Sequence, residues 1–410
     1  MIDAPAISPA IPEVSVALGP VAPSRRIESV DILRGIAILG IFLVNMLSYS
    51  GFRQPFEQMT LVDKSVNVLI KFLAQAKFYP LFSLLFGWGM AVQMERAAAR
   101  GMPFVPFYLR RMISLLLIGL VHAILIWHGD ILVTYALLGI PLLLFRKAPD
   151  RVILLAVIIC MLVPVLISTP GPGGEFRTAY TEAAAPLREE MIAGKRLNVF
   201  STGSYPEAVL QRSKQVRFSY AMSLYWATHV FGMMLVGLWV GRKGILQDIP
   251  RYRPALKKVM WGSLAVGIVL NIFWVWATVN PDLVSGDLHD LATRGVRTIG
   301  GPALTLFYLT AVVLIADRAA WNEQLSGLAA AGRMTLTNYL LQSVICTLIF
   351  YGYGLGAFGD MGPFLTLLLT LLIFRFQIAF SVWWLHRYRF GPAEWLWRSM
   401  SYGKLQPMQA

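Results

Sequence analysis

Apolar residues do not alternate with polar ones along this chain. They run in blocks, separated by short connections rich in Arg, Lys, Gly and Pro. A bilayer core takes about 20 residues of helix, and ten blocks approach that length: 30–49, 73–94, 109–128, 130–146, 151–168, 220–240, 257–278, 299–317, 334–351 and 363–386. The pattern predicts an all-α polytopic membrane protein, with about ten transmembrane helices in one bundle. The third and fourth blocks are joined by His128-Gly129-Asp130, which leaves room only for an antiparallel hairpin. No polar stretch is large enough to fold apart, so residues 25–400 read as a single transmembrane domain. A flexible tail over 1–24 precedes it, lacking the basic start and continuous apolar centre of a signal peptide, and a short tail over 401–410 follows. Residues 169–219 open with Pro170-Gly171-Pro172-Gly173-Gly174 and continue with apolar and charged residues at helical spacing, as an amphipathic segment on the outer surface would.

Composition agrees: 57% of residues are hydrophobic and only 14% charged, against roughly 25% charged in soluble domains. The net charge of +14 does not mark a nucleic-acid binder, because the basic residues fall in the connections between apolar blocks. There they set orientation. With Arg25 and Arg26 inside, 21 Lys and Arg lie on that side and 13 opposite, Arg34 and Arg375 falling within blocks. Seven of the 13 belong to the long 169–219 connection, whose influence on orientation is weak. Both termini are therefore expected in the cytoplasm, and the first partner is the lipid bilayer of the cell's inner membrane. Cys160 and Cys346 sit inside apolar blocks and read as packing residues. The chain has no phosphate-binding Walker loop, no nucleophile elbow and no zinc-protease helix pair, and no internal repeat of the kind that marks many transporters.

The candidate chemistry lies in polar residues set inside these blocks, where an ionisable side chain costs at least ~2.5 to 3.5 kcal/mol. Asp31 and Arg34 share one face near the cytoplasmic end of the first block. They suit either a neutralised pair at the interface or the mouth of a cavity for an anionic group, phosphate or carboxylate. Asn45 lies eleven residues on, roughly 16 Å along the axis and near the outer end. In the third block His122 is about 9 Å below the hairpin tip, either a general base paired with a carboxylate or a histidine bonded between helices. Asp130 is placed to cap the fourth helix. His122 and His128 point about 240° apart on a regular helix, which is poor geometry for a shared metal, and no metal is expected. Lys77 reads as an interface anchor. Arg333, Asn338 and Gln342 accompany the ninth block, and the two amides, four apart, suit glue between helices. Arg375 and Gln377 lie at hydrocarbon depth in the tenth, and His229 in the sixth.

These segments resemble the YeiB family of bacterial inner-membrane proteins. The resemblance runs from Asp31-x-x-Arg34-Gly35-x-Ala37-Ile38-Leu39-Gly40 through Gln75-x-Lys77-Phe78, Phe86-Gly87-x-Gly89 and His122 to Asp130. It continues with Gly232-Met233-Met234-Leu235, Gly332-Arg333-Met334-Thr335 through Gln342, and Gly391-Pro392-Ala393-Glu394-Trp395-Leu396-Trp397-Arg398. The first block, with Asp31, Arg34, Gly35, Ala37, Val44 and Asn45, is also similar to that of the heparan glucosaminide N-acetyltransferases. Two departures accompany that second likeness. Asn45 stands where membrane acyltransferases of envelope sugars have His, and no histidine precedes His122.

The resemblance implies a transmembrane acyltransferase. Its co-substrate would be cytoplasmic acyl-CoA, acetyl-CoA foremost, with Arg34, Asp31, Lys77, Arg333, Asn338 and Gln342 holding the donor. His122 would act as base or transient acyl carrier, Asp130 would orient it, and Asn45 would polarise the carbonyl. The acceptor would be an outer-face glycan or small molecule of unknown identity. A transporter of a small anionic or amphiphilic molecule and a non-catalytic assembly factor are the alternative classes, and a homo-oligomer is compatible with each.

Overall fold

The computed structural model describes residues 27–167, 172–196, 198–280, 296–318 and 321–409. The expected tail over 1–24 lies outside them. Helix dominates and no strand occurs among the described residues, the one β-bridge being Tyr388 with Gln409. Lipid offers no hydrogen-bond partner for a main chain, so apolar blocks of this length close their own bonds as helices. Seven helices are long and apolar enough to cross a membrane, or eight if a bent pair forms one span. Two further apolar helices, Leu132–Phe145 and Thr335–Phe350, are shorter. Together these account for each of the ten apolar blocks, and the chain is a multi-pass membrane protein.

In chain order the helices are α1 (Glu28–Ser50), α2 (Leu61–Leu73), α3 (Phe78–Ala99), α4 (Phe104–Val121), α5 (Leu132–Leu142) and α6 (Asp150–Ile167). The segment expected to lie on the outer surface folds as α7 (Pro172–Ala183), α8 (Ala185–Arg196), α9 (Val199–Thr202) and α10 (Tyr205–Ala221). Then come α11 (Leu224–Arg242), α12 (Ile249–Val279), α13 (Arg297–Ala316), α14 (Asn322–Arg333), α15 (Thr335–Phe350), α16 (Pro363–Leu385) and α17 (Pro392–Tyr402). α10 and α11 meet at a 69° bend. The second block folds as α3, and what differs most from expectation is the separate helix α2 that precedes it. A tight turn parts it from α3, with Ala76 at φ 68°. Its start is capped by Thr60, whose side chain accepts from the Asp63 amide.

α1 occupies the centre, packed against α3, α13, α14, α15 and α16. Two close helix crossings organise the bundle around it, each made by glycines on both sides. A methyl group at Gly87 would fall 1.8 Å from the Met234 carbonyl oxygen, and one at Gly237 would fall 1.8 Å from that of Leu84, so α3 and α11 touch along their backbones. Gly35 and Gly332 do the same for α1 and α14, at 2.1 Å from the Leu328 oxygen and 1.8 Å from the Asp31 oxygen. The second crossing brings Arg333 to the end of α1 that carries Asp31 and Arg34. Leu155, Ile158 and Ile159 of α6, Val269 and Ile272 of α12, and Leu372 and Phe376 of α16 are exposed, as an apolar belt facing lipid requires.

Candidate functional site: a passage beside a buried histidine relay

α4 does not end as a regular helix. His122–Ile126 forms a single π turn, closed by the Trp127 amide donating to the His122 carbonyl at 2.8 Å. Such a bulge rotates the side chains that follow it, so the His122 to His128 angle expected for an unbroken helix does not apply. His122 is buried at 1% exposure. Its Nδ1 lies 2.7 Å from Asp130 Oδ2 and its Nε2 2.8 Å from the hydroxyl of Ser343 on α15, which is 2.7 Å from the Tyr49 hydroxyl on α1. The other Asp130 oxygen accepts from the Val133 amide at 2.7 Å. One carboxylate therefore caps α5 and binds the imidazole, serving both roles considered for it. Four side chains from α1, α4, α15 and the hairpin turn are thereby joined in one hydrogen-bonded relay. Ser343 was not a candidate in the sequence, because Ser in an apolar helix carries no signal of its partner.

Three adjoining cavities run past this relay. The first, about 220 Å³, opens at the face where α1 begins and the chain ends. Arg34, Arg96, Arg100, Arg111, Arg333, Arg389 and Arg398 line it, with Asp31 as its one acidic wall residue among those described. Asp31 holds Arg34 at 3.1 Å, so the pair forms and also borders the opening. Arg111 is seated 3.6 Å over the ring of Trp397 on α17, and the Trp397 indole donates to the Arg111 carbonyl at 3.0 Å. Glu394 of α17 accepts from the amides of Leu336 and Thr337 at 2.6 and 3.1 Å, closing the start of α15. Burial pushes the Glu394 carboxyl above its ordinary pKa, against the opposing pull of its bonds to Thr337 and Leu336.

The second cavity, about 230 Å³, shares Arg34, Gly89, Gln93, Arg111, Arg333 and Arg398 with the first and continues inward between mainly apolar walls such as Ile38, Phe82, Leu85 and Leu115. The third, about 220 Å³, shares Ile41, Ile131 and Tyr339 with the second and lies toward the opposite face. Asn45, Gln75, Tyr79, Trp226 and Arg297 line it, together with Gly129, Asp130 and Ile131. The Asp130 side chain has no accessible surface, so it is the main chain of the hairpin turn that borders this chamber. Tyr339 joins the passage to the relay. Its hydroxyl donates to the Gly129 carbonyl at 3.3 Å and its ring centre lies 5.0 Å from that of His122.

Of the residues singled out in the sequence, Arg34, Asp31 and Arg333 meet at the mouth and Asn45 faces the far chamber. His122 stands behind the chamber wall with both ring nitrogens engaged. Lys77 is not an interface anchor. It is fully buried, donating to the Lys71 carbonyl at 2.9 Å and lying 4.8 Å from the ring centre of Trp274. Asn338 and Gln342 are buried in a ladder of amides, Gln342 donating to the Gln377 side chain and Gln377 to the Asn338 carbonyl, both at 2.9 Å. They tie α15 to α16 and do not border the three cavities. Arg375 stands on the exposed face of α16, away from the interior. His229 is buried and accepts from the chamber-lining Tyr79 at 2.9 Å through Nδ1, its Nε2 donating to the Thr298 carbonyl at 3.1 Å.

Residues 240–404 match the family model described as "Protein of unknown function (DUF418)". The chain is 35% identical to the uncharacterised protein YxaH of Bacillus subtilis (strain 168), over 95% of this chain and 98% of that one. It is 28% identical to the uncharacterised protein YeiB of Escherichia coli (strain K12), over 92% of this chain and 96% of that one. A protein of Bacillus acidopullulyticus from the amylase 3' region is also 28% identical, over 95% and 98%.

Proposed function

We propose that this chain, which belongs to the YeiB family of multi-pass membrane proteins, is a transmembrane acyltransferase. Its donor is acyl-CoA taken from the cytoplasm, and its acceptor is a glycan or small molecule reached at the outer face of the inner membrane. The observation that carries this reading is the passage: an arginine-lined mouth, a mainly apolar shaft and a polar chamber in sequence. Guanidinium groups bind phosphates through charge-assisted, often bidentate bonds. A donor with a polyanionic head and a long arm matches that order of walls. The distance from Arg34 to Asn45, roughly 16 Å by helical rise, is about the length of an extended pantetheine arm. Orientation with the arginines in the cytoplasm follows from the excess of basic residues on that side.

In the transfer, an acceptor hydroxyl or amine bonds to the acyl carbon and the carbon–sulfur bond breaks. Coenzyme A leaves as a thiol that has taken up the proton the acceptor loses. Asn45, which lines the chamber, would donate to the carbonyl oxygen as charge develops there. His122 and Asp130 hold the hairpin turn that walls the chamber. A direct proton-transfer role for His122 requires the Ser343 contact to open.

The test is transfer of label from acetyl-CoA by purified protein in the presence of membrane extract. Arg34→Gln is expected to weaken donor binding, and His122→Ala to leave binding intact while lowering transfer at least tenfold. Normal turnover in both variants contradicts the assignment. Movement of an unmodified solute across sealed vesicles, with no labelled product, would favour the transporter class instead.

A further inference from the structure

The shaft is mainly apolar, yet two polar groups in its wall have no partner among the described residues. The Tyr108 hydroxyl belongs to a side chain 1% exposed on α4. The Gln93 carbonyl oxygen belongs to α3, at the junction of mouth and shaft. A buried polar atom without a partner costs about 1 to 3 kcal/mol, and such groups in a native interior call for an explanation. Gly89, one turn before Gln93, leaves this stretch open. A methyl group there would meet nothing nearer than the Gln93 amide nitrogen at 3.8 Å, so α3 offers a bare backbone and one amide to whatever fills the passage.

We propose that Gln93 and Tyr108 bind the polar atoms of the donor's arm, so that the shaft selects an amide-bearing pantetheine chain over a hydrocarbon tail. This rests on the acyl-CoA reading and deepens it. The arginine mouth alone does not separate the two ligand classes, because a lipid diphosphate presents the same anionic head. The walls of the shaft do. A hydrocarbon tail would leave both atoms unpaired, whereas a pantetheine arm carries amides and a hydroxyl. Both atoms have almost no accessible surface in the empty shaft, so each side chain turns toward the shaft as the arm enters: Gln93 Oε1 then accepts from an arm amide N–H, and the Tyr108 hydroxyl donates to an arm carbonyl.

The experiment measures dissociation constants of coenzyme A, adenosine 3',5'-bisphosphate and farnesyl diphosphate for the purified full chain and for Tyr108→Phe and Gln93→Met. Each variant is expected to bind coenzyme A about fivefold to tenfold more weakly, the loss of about one net hydrogen bond, and the bisphosphate as wild type does. Farnesyl diphosphate is expected to bind more weakly than coenzyme A and to be indifferent to both substitutions. Tyr108→Phe removes only an unpaired oxygen, so thermal stability should hold or rise, which separates a binding loss from misfolding. Coenzyme A binding unchanged in both variants, with the bisphosphate bound normally, overturns this inference and leaves the donor reading standing. Failure of wild type to bind either coenzyme A or the bisphosphate overturns the donor reading and this inference with it.

Discussion

Asp130 joins two tasks through two oxygens, and each task sets a different expectation for its loss. Removing the cap on the Val133 amide costs about 1 kcal/mol. Leaving the His122 ring nitrogen without its partner in a site closed to water adds about 1 to 3 kcal/mol, the cost of a buried polar group left unsatisfied. Asp130→Ala should therefore lower the unfolding midpoint in detergent more than substitution of an ordinary helix cap, and a fall no larger than a cap's would show that the imidazole contact contributes little. The sequence alone reads Asp130 as a helix cap, and its pairing with His122 was legible only through the family resemblance. Ser343 and Tyr49 were not, since nothing in their own helices records which hydroxyl lies across the bundle. Gly87 and Gly89 show the same limit. They look alike in the sequence, but one meets the Met234 backbone at 1.8 Å and the other borders open space. Gly87→Ala should impair folding, whereas Gly89→Ala should be tolerated; equal yields and melting temperatures for the two would contradict that division.

Among the elements, α10 is fastened to the relay at the π turn. The turn frees the Leu125 carbonyl from a regular helical bond, and Arg212 of α10 donates to it at 2.7 Å while also donating to the Tyr353 hydroxyl at 2.6 Å. Tyr205 donates to the same carbonyl at 2.9 Å. Arg212 is fully buried among Tyr205, Tyr351 and Tyr353, whose ring centres lie 5.4 to 5.6 Å from its guanidinium carbon. Arg212→Ala is expected to raise amide hydrogen exchange over residues 199–221 and 122–131 together, with α12 and α13 unaffected. Exchange confined to α10 would show that the clasp does not reach the relay. Helix positions were readable from apolar block length, and the 169–219 segment from its mixed composition. The separate α2 was not, because its Leu61, Val62 and Leu69 face outward like those of any lipid-facing helix and the turn at Ala76 lacks the Gly that announces a left-handed backbone.

Over the whole molecule the basic residues do two things at once. In the sequence Arg96, Arg100, Arg111, Arg389 and Arg398 count only toward orientation, because they fall in two stretches, 96–111 and 389–398, far apart along the chain. Folding gathers them with Arg34 and Arg333 around one opening. Donor binding should then weaken as salt rises, since exposed charges are screened within about 10 Å at 0.1 M and about 3 Å at 1 M; an affinity constant across that range would argue that the arginines do not hold the phosphates. Donor entry as proposed needs one continuous passage from this mouth into the bundle. The most direct measurement is the affinity of acetyl-CoA for wild type and for Gly89→Leu, which places a side chain in the passage where the structure has open space. The passage predicts unchanged thermal stability and at least tenfold weaker binding in the variant. Equal affinity in the two proteins would contradict it.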